Sequence, residues 1–179
     1  VHGDNLETNG TRLFELSPGG GLTLTQIKVS GGVAAEGGAI YSSSGTLTLD
    51  DCVFDGDVAT ELNGGAVWAN GGNVTIMGGE FLANNAARLG GAVYATDGRL
   101  EVNGGSRFER NEALAGGALF CGSTTDGSAT STILCSLAET EFIENYARIS
   151  GGALYGGDLT NVSVNGCTFD NNTSEQDGG

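Results

Sequence analysis

Short runs of alternating polar and apolar residues recur along the chain. Examples are Thr46-Leu47-Thr48-Leu49, Asn73-Val74-Thr75-Ile76 and Asn161-Val162-Ser163-Val164. A period of two predicts half-buried strands. Between these runs lies a glycine-centred motif, Gly-Gly-Ala followed by an aliphatic and then an aromatic residue. It begins at Gly37, Gly64, Gly90, Gly116 and Gly151, with spacings of 27, 26, 26 and 35. A second motif, Phe-x-x-Asn, begins at Phe81, Phe108, Phe142 and Phe169, and Phe54 with Asp57 is a variant of it. Its spacings from Phe54 onward are 27, 27, 34 and 27. Two separate motifs thus share one period and one insertion.

Three short strands in about 27 residues, joined by glycine turns, do not fit a helical repeat, and leucine-rich, ankyrin and tetratricopeptide patterns are absent. The period predicts an all-β fold, a right-handed parallel β-helix (solenoid) of about six coils, with roughly 27 residues per coil. Residues 1–179 read as a single β-helix domain and as a piece of a longer chain. A weaker first coil fits the same frame, with Leu13-Phe14, then Leu22-Thr23-Leu24, then Val29 at the phenylalanine position.

Parallel stacking places like residues above one another. Phe54, Phe81, Phe108, Phe142 and Phe169 are expected to form an inward aromatic column, each ring contributing about 1.5–3 kcal/mol by its burial. The asparagines are expected at a bend, where an amide can donate and accept along the stack. Asp57 interrupts them, because an ionised carboxylate cannot donate. Ala59, Ala86, Ala113 and Ala147 follow as small residues at a tight turn.

A second aromatic series follows the Gly-Gly-Ala motif: Phe14, Tyr41, Trp68, Tyr94, Phe120 and Tyr155. Neighbours in a strand face opposite ways, so Ile40 and Tyr41 do not both point inward unless the strand bends. The favoured reading turns Ile40, Val67, Val93, Leu119 and Leu154 inward. Tyr41, Trp68, Tyr94, Phe120 and Tyr155 then form an outward stripe, a candidate binding surface for sugar rings or a protein partner. The opposite reading buries the aromatics.

Charge narrows the function classes. With 22 acidic and 7 basic residues the net charge is −15, which disfavours nucleic acid and anionic membrane surfaces. No run of apolar residues is long enough for direct membrane insertion. The glycine pairs are not phosphate loops, since no Lys-Ser/Thr follows them.

The paired motifs, as they stand at residues 37 to 172, resemble the repeats of the chlamydial polymorphic outer-membrane proteins. That resemblance implies an extracellular β-helical surface protein, and in the family the motif pair has been implicated in adhesion. Here Asp57 replaces the motif asparagine, and the first coil carries neither motif.

Cys121 and Cys135 flank the insertion that starts at Gly122, and a disulfide between them is expected to staple that loop. Cys52 and Cys167 each precede a phenylalanine by two residues, so they are expected as inward free thiols. A disulfide implies an oxidising compartment. Asn9, Asn73, Asn161, Asn171 and Asn172 head Asn-x-Ser/Thr sequons, making them candidate glycosylation sites.

Evidence for chemistry is thin. The only histidine is His2, and no Ser-His-Asp set or His/Cys metal spacing is present. Asp50, Asp51, Asp55 and Asp57, or Asp170 and Glu175, offer oxygen for calcium, but the nonapeptide calcium repeat is absent, so no metal or other cofactor is expected. The reading is a non-catalytic, extracellular structural or adhesive segment, part of a stalk, filament or surface assembly. Its expected partners are surface glycans, other protein subunits or further coils of the same longer chain. The alternative is a polysaccharide-active β-helix enzyme (lyase, hydrolase or epimerase) or a carbohydrate-binding module.

Overall fold

The computed structural model describes residues 5–7, 10–123 and 133–178. Among these residues every regular element is a strand and every strand pairing is parallel. The chain is the parallel β-helix that the period predicts. Its strands form three sheets, with seven, ten and six members. The six-stranded sheet takes one strand from each of six laps, from Val33–Ala34 to Thr173–Ser174.

The pairing is in register with the motifs. Phe54 pairs with Phe81, Phe81 with Phe108, Phe108 with Phe142 and Phe142 with Phe169. Their rings stack at 5.1, 4.7, 5.2 and 4.9 Å between centroids. The first four are fully buried, whereas Phe169, in the last lap, is 49% exposed. Beside them run the aliphatic columns of the long sheet, with Leu47, Val74, Leu100 and Cys135 in one and Leu49, Ile76, Val102 and Leu137 in the next. Ala59, Ala86 and Ala113 make a small separate cluster in the six-stranded sheet.

Positive φ recurs at four places in the lap: one lies in the ten-stranded sheet, at Gly19, Ser44, Gly71, Asp97 and Leu159, and three mark sharp corners. The residue two after each phenylalanine is left-handed: Gly56, Ala83, Arg110, Glu144 and Asn171. So is the residue three before it: Asp51, Gly78, Gly105, Glu139 and Gly166. The third corner is the first glycine of each Gly-Gly pair, with φ between 54° and 67°. The second glycine is required for a different reason. A Cβ on Gly38, Gly65, Gly91 or Gly117 would lie 2.0–2.3 Å from the carbonyl oxygen of the corresponding glycine one lap on. The laps touch main chain to main chain there, and no side chain fits.

The phenylalanine corner is held by a ladder of amides. Asn84, Asn111, Asn145 and Asn172 each donate from Nδ2 to the carbonyl of the phenylalanine one lap earlier, at 2.8–3.1 Å. Each Oδ1 accepts the backbone N–H of the ladder residue one lap earlier, at 2.9–3.0 Å. Nδ2 of Asn84, Asn111 and Asn145 also donates to the next Oδ1, at 2.8–3.0 Å. Asn84, Asn111 and Asn145 are fully buried, so these bonds replace the water that their amides give up.

The first lap departs from the expected frame at one place. Leu22, Leu24 and Val29 sit under Leu47, Leu49 and Phe54, but Phe14 pairs with Ile40, while Glu15 lies under Tyr41. Phe14 therefore belongs to the inward aliphatic column, packed against the core, and not to the outer aromatic series. Without a Gly-Gly-Ala motif in this lap, nothing in its sequence marks the shift.

Substitutions at two corners should act in opposite directions. Gly91→Ala drives a Cβ into the Gly117 carbonyl and should cost at least about 3 kcal/mol. Glu144→Gly relieves a left-handed side-chain-bearing residue and should add about 1 kcal/mol of stability. Chemical denaturation followed by circular dichroism measures both.

Candidate functional site

Tyr41, Trp68, Tyr94, Phe120 and Tyr155 occupy one outer column of the long sheet, each paired in register with the next. Their aliphatic neighbours Ile40, Val67, Val93 and Leu119 point into the core with no exposure. The strand alternation is kept, and the aromatics lie outside the coil.

Ring geometry limits what this column can bind. Successive centroids are 4.3, 6.2, 5.0 and 5.7 Å apart, with interplanar angles of 5–18°. The rings are stacked on one another, so their flat faces are spent within the column. Sugar recognition by stacking needs a free face. Tyr94 and Phe120 are buried, and Tyr41 and Trp68 are half-buried. The guanidinium of Arg12 covers the lower end, 4.8 Å from the Tyr41 ring centre, where it makes a cation–π contact. Tyr155, at the other end, is 37% exposed and stacks on Phe120 alone among the described residues.

Beside Tyr155 and Phe120 lies a groove of about 290 Å³. Leu89, Leu114 and Ile149 line its apolar wall, and Arg88 and Asp158 bring charge to it. The aliphatic wall was not anticipated from the sequence. Its signal is a large aliphatic residue one or two positions ahead of four of the five Gly-Gly-Ala motifs: Leu62, Leu89, Leu114 and Ile149.

The cations of the surface are largely committed. Arg12 pairs with Glu15, Lys28 with Asp55, Arg99 with Glu101, and Arg148 with Glu112. Arg107 bridges Glu109 and Glu141, and Arg110 shares Glu109. The bonds from Glu109 and Glu141 raise the pKa of Arg107. Among the described residues Arg88 alone has no carboxylate partner. No group of three metal-ligating side chains forms among them either. Asp57 is buried in the ladder and Asp55 is held by Lys28, so the acidic run around residues 50–57 does not converge.

The expected disulfide is not formed: Cys121 and Cys135 are free, buried thiols. Both occupy inward positions of one lap, under Gly156 and Val162. A hydrogen bond with Cys135, then burial, pushes the Cys121 thiol far above its ordinary range, which holds it in the protonated, unreactive form. Cys52 is buried and Cys167 half-buried, and both are free. Of the loop between Cys121 and Cys135, residues 124–132 lie outside the described residues, as does Asn9.

Among the remaining sequons, Asn73, Asn161 and Asn171 are exposed. Asn172 is a member of the amide ladder, with its Nδ2 bonded to Phe142.

The aromatic column should therefore respond to truncation according to position. Tyr94→Ala, inside the stack, is expected to destabilise by about 3 kcal/mol. Tyr155→Ala, stacked on one side and exposed, should cost less than about 1.5 kcal/mol. Urea titration of the two variants beside the parent chain measures the difference. In comparison with known proteins, no family model, no curated protein and no solved structure matches this chain.

Proposed function

We propose that this chain is a non-catalytic, extracellular structural or adhesive β-helix segment, part of a stalk, filament or surface assembly. The observation that carries the reading is the commitment of side chains to neighbouring laps. Both aromatic columns stack ring on ring, and the buried amides bond along the axis. A molecule built this way is a rigid rod whose surface can be varied without loss of its core. Six of the seven basic residues are tied to carboxylates, which leaves little to clamp an acidic polymer for cleavage. The resemblance to the chlamydial surface repeats points the same way, toward the outside of a cell.

A carbohydrate-binding role is the second reading, and one feature favours it. The groove joins the exposed end of the aromatic column to Arg88, which has no acidic partner among the described residues. A sugar ring set against Tyr155, with an acidic or hydroxyl group toward Arg88, suits that chemistry.

Pectin, alginate and a panel of cell-surface glycans separate these roles. The chain is expected to release neither reducing ends nor unsaturated uronates from the polymers, and turnover by the wild-type chain would overturn the non-catalytic reading. Any glycan retained on the immobilised chain should bind at least about tenfold more weakly to Tyr155→Ala. An unchanged affinity moves the adhesive surface away from this groove.

A further inference from the structure

The amide ladder has one member of different chemistry. Asp57 stands below Asn84, where each later lap has asparagine, and it is fully buried. Its Oδ1 accepts the N–H of Gly32 in the first lap at 2.7 Å. Its own N–H donates to Asn84 Oδ1 at 2.9 Å. Both contacts copy those of an asparagine. The other carboxyl oxygen, Oδ2, is buried with no hydrogen-bond partner.

In Asn84, Asn111 and Asn145 the corresponding atom is an amide nitrogen with two acceptors. One is the carbonyl of the inward residue one lap earlier, and the other is Oδ1 one lap later. Below Asp57 the inward residue is Val29, paired with Phe54. The position calls for a donor, and a carboxylate has none. A neutral carboxylic acid has one.

We propose that Asp57 is a proton-operated latch: as the neutral acid it donates where the asparagines donate and holds the first lap, residues 10–34, against the second, and as the carboxylate it releases that lap. The latch binds the N-terminal end of the rod in acid and frees it in mild alkali.

The surroundings support the assignment. Asp55, two residues away, is the charged neighbour that acts on Asp57, and its own carboxylate is held by Lys28 of the first lap. Glu80, in the strand above, pairs with Val53 and is exposed on the outer face. The neighbouring strands Val33–Ala34, Val58–Ala59 and Asn85–Ala86 carry no ionisable side chain. Burial, opposed by the Gly32 bond and aided by Asp55, raises the carboxyl from 3.8 to about 7. Its pKa in the fold is raised, so the folded lap keeps a proton that the released lap gives up. The stabilisation is complete below 3.8 and is lost as pH rises through about 7.

Amide hydrogen exchange at Gly32 and across residues 28–34, corrected for the intrinsic pH dependence, tests this. Protection in the wild type should fall at least tenfold between about pH 5.5 and about pH 8.5. Asp57→Asn completes the ladder and should keep protection high at both values. A flat wild-type profile, or an Asp57→Asn profile falling in parallel with it, overturns the latch. The wild-type chain also gives a readout independent of any variant. A carboxyl carbon NMR titration of Asp57 with a midpoint near 7 supports the proposal, and a midpoint below about 5 rejects it.

Discussion

Parallel pairing holds each inward side chain against its counterpart one lap away: Phe81 on Phe108, Asn84 on Asn111, Ile76 on Val102. A β-helix has no other way to close its interior, because one lap encloses too little to bury anything alone. The pairing in turn depends on corners that bring the chain round to the same place after each circuit. Left-handed residues provide the bends, and the close approach of Gly65, Gly91 and Gly117 lets adjacent laps meet without a side chain between them. The amide ladder then satisfies the polar groups that such bends would leave buried. Core, corner and ladder are three aspects of one spacing.

The outer aromatic column obeys the same spacing with a different result. Outside the coil, stacked rings could have offered a row of faces. In register they face one another, and Arg12 covers one end. What remains available is an edge and one terminal ring, Tyr155. The broad stripe therefore works mainly as a second spine, and its one open ring face borders the groove where the spine ends. The ion pairs across laps, such as Lys28 with Asp55 and Arg107 with Glu141, sit on an exposed surface. Such pairs are worth little individually.

Much of this was legible because the repeat compares the chain with itself. Phe81 and Phe108 identify each other as a column, and alternation around Val74 and Leu100 assigns the faces. The first lap was less legible for the same reason: Phe14 has no motif beside it to set its phase, and it lies one position from the outer series. The corners were half visible. Gly56 announces a left-handed residue, but Ala83, Arg110 and Glu144 hold the same conformation with ordinary side chains, and only the lap-to-lap bonds of the ladder explain why. The spacing placed Cys121 and Cys135 in one lap correctly, whereas the state of their sulfurs depends on local contact that spacing does not report. The groove was missed because its wall is split among three laps, with Leu89, Leu114 and Ile149 far apart in the chain.

The ladder also has a sense of direction. Every Nδ2 reaches back to a carbonyl below it, and every backbone N–H reaches forward to an Oδ1 above it. The amide dipoles therefore run the same way from lap to lap, and each can polarise the next. The two ends of the rod are chemically unlike in consequence. A lap turned upside down would meet donor with donor, so the order of laps within the stack is fixed by the handed sequence of hydrogen bonds and not by shape.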